Sequence, residues 1–288
     1  NDLYFYDVYN DPTSKYRGTE EAMQAIVNLY GVEYGEGKAY ATLEEAYKSI
    51  SGYNLTEAKA LMVKALEELQ AAELYTAGQE IKINIGWAKG ALTSDDNAQI
   101  ALMNKYINAA AAEAGFGQIT LVAVGSINDR YAAVPAGDYA IGYGAWGGAA
   151  FYPFRNFQVY MDPDQYDLNE AANWDPTTET CTLTVNGEEV TMTYQAWSQS
   201  MMGTGKFANA DFETKLAITA QLEEIYLKFY YRIPLAATTI CTLLSYQVKY
   251  YTEDYNIMYG FGGLRLMTYN YSDSAWADFV EAEGGTLT

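Results

Sequence analysis

Apolar residues along the first half of the chain recur with two periods, 3.6 and 2, that alternate from segment to segment. Residues 18–30 read as a helix closed by Gly31. Thr42-Leu43-Glu44-Glu45 has the spacing of a capping box and opens a second helix. Asn54-Leu55-Thr56-Glu57 opens a longer one with the apolar stripe Ala58, Leu61, Ala65, Leu69 and Ala72, and its stop is predicted at Gly78. The period then switches to 2: Ile81, Ile83, Ile85 and Trp87 share one face of a strand over 80–87. Thr93-Ser94-Asp95-Asp96 caps a helix striped by Ile100, Met103, Ile107, Ala110 and Ala114 and closed by Gly115. A second strand is expected over 118–124 and a third over 139–143. Strand, helix, strand, strand is α/β organisation, with the first two strands parallel and joined by a right-handed crossover.

The second half reads differently. Residues 180–194 form a predicted hairpin turning at Asn186-Gly187, a pair that tolerates the positive φ angles of a tight β-turn. It lies in a Thr-rich stretch and reads as an insertion over about 178–196. A long helix over 211–231 points Phe212, Leu216, Ile218, Leu222, Ile225 and Phe229 inward, and Arg232-Ile233-Pro234-Leu235 ends it and leads into a strand. From Tyr246 the chain is rich in Tyr, Gly and Asn, with weak periodicity until a short helix over 273–283 capped by Ser272 or Asp273. No internal repeat and no linker stands out. The apolar run 233–244 contains a proline and several threonines and is too short to span a bilayer. No signal peptide opens the chain, and its first residues read like the interior of a longer protein.

The densest signal is 138–154, Asp-Tyr-Ala-Ile-Gly-Tyr-Gly-Ala-Trp-Gly-Gly-Ala-Ala-Phe-Tyr-Pro-Phe. A short alternating strand runs into a glycine-spaced segment around Trp146, which Pro153 ends. Glycines let another chain or ligand approach the backbone closely, and Trp146 and Tyr152 offer flat apolar faces with a polar edge. Gly142-Tyr143-Gly144-Ala145-Trp146-Gly147 also fits the dinucleotide pattern G-x-G-x-x-G, with Asp162 twenty residues beyond Gly142. That chemistry requires a helix opening at the third glycine to hold the pyrophosphate. Gly148 and Pro153 argue against such a helix, and Trp146 crowds the loop.

Composition narrows the chemistry. The chain has 288 residues, half of them apolar, enough for one large domain or two ordinary ones. Its net charge of −20, from 17 basic and 37 acidic residues, repels nucleic acid and anionic headgroups. There is no histidine, which removes Ser-His-Asp and Cys-His catalysis and H-E-x-x-H zinc sites. Cys181 and Cys241, the only cysteines, are compatible with either a disulfide or two buried thiols. Gly203-Thr204-Gly205-Lys206 fails as a phosphate loop, lacking the upstream glycine and the Ser/Thr after lysine. Asp162-Pro163-Asp164-Gln165-Tyr166-Asp167 begins with calcium-like spacing but lacks the turn glycine, and reads as a solvated acidic turn. No catalytic residue, metal site or cofactor is assigned. Two-carboxylate glycoside hydrolysis survives as an enzyme hypothesis because 37 acids supply many pairs. The 28 tyrosines suit wet apolar contacts.

The order of elements carries a resemblance. The helix with Asn54-Leu55-Thr56-Glu57-Ala58-Lys59-Ala60-Leu61 precedes the strand 80–87, then a helix and strand. Gly137-Asp138-Tyr139, the segment 146–153, the long helix closing in Arg232-Ile233-Pro234-Leu235 and the ending Tyr269-Asn270-Tyr271-Ser272-Asp273-Ser274-Ala275-Trp276 follow. This set resembles the C-terminal portion of the solute-binding proteins of peptide ABC importers, the oligopeptide- and dipeptide-binding family, in its Gram-positive versions. The resemblance implies a periplasmic-binding-protein-like α/β lobe, a mixed sheet flanked by helices, over 1–245. The hairpin would be an insertion, 246–288 a returning C-terminal segment, and the N-terminal lobe would lie outside this chain. It implies a monomeric, non-enzymatic receptor, lipid-anchored at the cell surface or periplasmic. Such a receptor captures oligopeptides between two lobes for a membrane permease.

The expected ligand contacts are Trp146, Gly147, Gly144, Tyr143, Tyr152 and Arg155. Trp146 and Pro153 match the family's spacing, but its acid, which pairs with the ligand's amino terminus, is Ala149 here. Another acid does that job or the ligand lacks a free amine, which keeps an oligosaccharide receptor on the same scaffold as an alternative. A secreted glycosidase is a further alternative, and a structural or adhesion module a last one. Trp87, at the strand's end, is expected in the core.

Overall fold

The computed structural model describes residues 8–9, 11–134, 136–144, 158–165, 174–230, 233, 248–249, 255–256, 260–261 and 267–285. The chain divides into two compact units, Asn1–Pro234 and Leu235–Thr288, and is mixed α/β. The first unit contains β1 (Val8–Tyr9), β2 (Asp11–Lys15), α1 (Glu20–Leu29), α2 (Leu43–Ser49), α3 (Leu55–Ala71), β3 (Glu80–Gly86), α4 (Ser94–Ala114), β4 (Gln118–Val124), α5 (Arg130–Ala133), β5 (Ile141–Gly142), α6 (Gln158–Met161), β6 (Thr180–Val185), β7 (Glu188–Thr193), α7 (Tyr194–Met201) and α8 (Phe212–Lys228). The second contains β8 (Val248–Lys249), β9 (Tyr255–Asn256), β10 (Gly260–Phe261), β11 (Thr268–Tyr269) and α9 (Asp273–Ala282). There β8 pairs with β11 and β9 with β10, both antiparallel. Ser272 caps α9, and Tyr271, Trp276 and Phe279 cluster on it.

The strands predicted over 80–87, 118–124 and 139–143 form one sheet of order β4-β3-β5, parallel throughout. The third is shorter than the pattern suggested, two residues set beside Ile85 and Gly86. Helices α3 and α4 cover the face carrying Ile81, Ile83, Ile85 and Trp87, burying Ala111, Phe116, Ile119 and Leu121 between them and the sheet. An ion pair of Lys59 with Glu113 joins the two helices. Caps fall where the sequence placed them. Thr42, Asn54 and Thr93 each accept a hydrogen bond from the backbone three residues on. At α2 the returning carboxylate of Glu45 accepts from the Ala41 N–H rather than from that of Thr42.

Two expectations for α3 change. It ends at Ala71, not at Gly78: Glu73 takes the left-handed position (φ 58°) and the Leu74 N–H closes back on the Leu69 carbonyl. Gly78 (φ 82°) serves instead in the turn Thr76–Gln79 that starts β3. The packed stripe is Met62, Ala65, Leu66 and Leu69, while Leu61 is exposed. A 3.6-residue period admits either neighbour of an i+4 step, and the sheet selects the one facing it.

Helix α4 is fixed to β4 by more than apolar contact. Asn104 donates to the Leu121 carbonyl (2.9 Å) and accepts from the Leu121 N–H (2.7 Å). Asn108 does the same with Ile119, at 2.6 and 3.0 Å. Four residues of helix rise about 6 Å and two residues of strand about 6.6 Å, so amides at i and i+4 match successive outward-facing peptide groups of an edge strand.

Helices α1, α2, α6 and α7 and the hairpin strands β6 and β7 pack around α8. The hairpin β6–β7 turns at Asn186 and Gly187, both at positive φ (52° and 83°). Leu183 and Val185 of the hairpin join Tyr194, Trp197 and Met201 of α7 and Leu216, Ile218, Leu222 and Tyr226 of α8 in the largest apolar cluster among the described residues. Gln221 grips Thr184 of β6, accepting from its N–H (2.8 Å) and donating to its carbonyl (2.9 Å). The inward face of α8 includes Thr219 and Glu223, whereas Phe229, expected inward, is exposed at the C-cap beyond the last packed turn. Glu223, fully buried, accepts from the Tyr16 hydroxyl (2.8 Å) and pairs with Arg17, whose Nη1 also donates to the Ala22 carbonyl (3.1 Å). Burial pushes the Glu223 carboxyl up, against the opposing pull of Arg17.

Removing one member of this pair strands the other charge. Glu223→Ala is expected to cost roughly 3–5 kcal/mol in urea unfolding, and the double replacement Arg17→Met with Glu223→Leu to regain most of it. Asn104→Leu leaves both polar groups of Leu121 unpaired, at about 1–3 kcal/mol each. Its melting temperature should fall, and aggregation should rise with concentration as the edge of β4 opens.

Candidate ligand-binding edge

Order β4-β3-β5 reverses direction at β3: the chain leaves β3 toward β4, then crosses back to its other side. Ligands of open α/β sheets gather at the carboxyl ends of the strands flanking such a reversal, here β3 and β5. Those ends carry Trp87 and Tyr143. The register Ile85↔Ile141 places them side by side on one face, about 4.8 Å being the distance between neighbouring strands. Their rings stack at 4.2 Å with 9° between planes. Trp87 is 1 % exposed and belongs to the core, as expected from its phase with the isoleucines. Tyr143 is half-buried and Gly144 exposed.

The Trp87 indole N–H donates to Asp96 Oδ1 (2.8 Å) at the start of α4. The other oxygen, Oδ2, accepts from the Thr93 N–H (2.8 Å) and hydroxyl (2.7 Å), completing the capping box. These bonds, the backbone N–H of Thr93 foremost and the indole next, hold the Asp96 carboxyl below the usual aspartate range. The loops after β3 and β4 are laced together: Ser126 donates to the Gly90 carbonyl (2.6 Å) and Ile127 to that of Ala88 (3.2 Å).

The backbone of β5 faces two ways. The Tyr143 N–H donates to the Gly86 carbonyl (2.8 Å), so this residue turns its polar groups toward β3. Alternation along a strand then turns the polar groups of Gly142 and Gly144 outward. Both residues are exposed, and among the described residues no strand pairs with that side. The glycine at 142 has a separate reason: a Cβ there would meet Val134 Cγ2 at 2.8 Å.

Of the six contacts expected from sequence, Tyr143 and Gly144 therefore lie together at the reversal point. Trp146, Gly147, Tyr152 and Arg155 fall outside the described residues, as do Ala149, Pro153 and Cys241. The Trp87–Asp96 bond was not anticipated. Each partner was legible alone, one as strand face and one as cap, but no spacing rule connects them. The acidic turn is solvated at Asp164, as expected, but not at Asp162, which is 3 % exposed and accepts from Gln195 Nε2 (3.2 Å) and the Asp164 N–H (3.2 Å); Tyr166 and Asp167 lie outside the described residues. Among the described residues no cluster of three or more His, Cys, Asp or Glu could hold a metal ion, and no helix is long and apolar enough to cross a membrane. Cys181 is a free, half-buried thiol, and burial pushes it up to about 12.

No protein family, curated protein or solved structure matches this chain.

Trp87→Ala removes the buried half of the stack and should cost about 3–5 kcal/mol in denaturant unfolding, with Tyr143→Ala costing much less. Cys181 stays protonated through neutral pH, so iodoacetamide at pH 8 should label it only after denaturant is added.

Proposed function

We propose that this chain grips an extended ligand along β5 and serves as the ligand-binding lobe of an extracytoplasmic solute-binding protein of an ABC importer. Oligopeptides are the leading ligand, and a membrane permease receives them. The observation that carries this reading is the asymmetry of the parallel sheet. Its β4 edge is sealed by Asn104 and Asn108. Its β5 edge presents the outward peptide groups of Gly142 and Gly144 beside the Tyr143–Trp87 stack. An extended peptide adds to such an edge through main-chain hydrogen bonds, largely independent of its side chains. Each bond contributes about 0.5–1.5 kcal/mol net, so tight capture requires water to be excluded by closure of a second lobe. Trp146, Gly147, Tyr152 and Arg155 follow β5 directly and supply the remaining contacts in this proposal. The role is capture without turnover, by a monomer at the cell surface or in the periplasm. An oligosaccharide is the second reading, favoured by the aromatic pair, whose flat face suits a sugar ring.

Thermal shift of the full-length receptor, with both lobes, against tetraalanine and maltotetraose separates the two. Tetraalanine is expected to raise the melting temperature by binding the native state. Trp146→Ala and Tyr143→Ala should weaken that shift while leaving the unliganded melting temperature within a few degrees of wild type. Steady hydrolysis of the glycan would sink the importer reading, and no shift with any peptide would sink the peptide reading.

A further inference from the structure

We infer that Asp96 is a positioning residue for the ligand edge, setting the plane in which Tyr143 is presented; this rests on the reading of β5 as the binding strand. A buried indole needs an acceptor for its N–H, and Asp96 Oδ1 is that acceptor. The Asp96 carboxylate cannot swing to follow the indole, because Oδ2 is held by both the N–H and the hydroxyl of Thr93. Its own N–H is held in turn by Thr93 Oγ1 at 3.2 Å. The indole plane is thereby referred to the first turn of a 21-residue helix, and that helix is bolted to β4 by Asn104 and Asn108. Tyr143 lies flat on the indole, while its backbone is pinned to Gly86. A ring fixed at its backbone and flat against a fixed plane has one orientation left. Asp96 sets that orientation without lying on the ligand edge itself.

Two substitutions separate this role from helix capping. Asp96→Glu keeps the capping box, for which glutamate is a standard third residue, but its longer side chain cannot cap and meet the indole at the same place. Asp96→Asn keeps a carbonyl oxygen for the indole and turns an amide toward the Thr93 N–H, weakening the cap. The near-ultraviolet circular dichroism lost in Tyr143→Leu defines the signal of the ring pair. Asp96→Glu strands the buried indole N–H and should melt earlier, lose most of that signal and bind tetraalanine about fivefold more weakly, a change on the scale of one hydrogen bond. Asp96→Asn should melt earlier with the signal retained. The inference is overturned if Asp96→Glu keeps the signal, if Asp96→Asn loses it, or if Tyr143→Leu changes nothing in that region. A wild-type full-length receptor that ignores tetraalanine overturns the peptide reading instead, and the ring-pair signal still decides the role of Asp96.

Discussion

The pairing of two asparagine side chains with the edge of β4 is the constraint on which the proposed site depends. An edge strand exposes a row of unpaired N–H and carbonyl groups, and burying them under a helix is costly unless each finds a partner. Asn104 and Asn108 supply both partners at two successive outward residues, and in doing so fix the axial position and rotation of α4. Apolar contact alone would leave the helix free to slide by fractions of a turn, since packing is non-directional. Once α4 is fixed, its N-terminus is fixed, and with it the carboxylate that holds Trp87.

The same device recurs in the other half of the unit, where Gln221 of α8 closes an edge of β6 at Thr184. Two short sheets are thus finished by amide side chains borrowed from helices, not by further strands. That economy suits a chain whose sheets, among the described residues, have two or three strands. It also sets off the outer side of β5, on which no strand pairs among the described residues: a fold that closes two edges with dedicated residues leaves this one beside two stacked aromatic rings. Charge is handled differently. The buried Arg17–Glu223 pair sits against α8 with the Tyr16 hydroxyl as third member, which ties the segment before α1 to the core. Such a pair adds little net stability, because desolvation offsets most of its attraction.

How much was legible in advance divides along the range of the interactions. Helix starts are legible at Thr42, Asn54 and Thr93 because a cap is a contact between residues three apart, complete within one stretch of sequence. The hairpin at Asn186-Gly187 was legible for the same reason. Helix faces were read less well. Leu61 and Phe229 were assigned inward and lie outside, and Glu223 was not assigned inward and is fully buried. Periodicity gives a stripe about one residue wide in its uncertainty, and the opposing surface chooses.

By itself the sequence determined the local conformations: where helices begin, where the chain turns, which strands alternate, and that histidine-dependent chemistry is absent. Tertiary structure alone decided which edge of the sheet is sealed, which aromatic ring lies on which, and that a capping aspartate also holds an indole. Caps and turns are enforced by bonds between near neighbours, so their information is contiguous. The ring pair and the amide clamps join residues 11 or more positions apart, and their geometry exists only once the strands have taken their order.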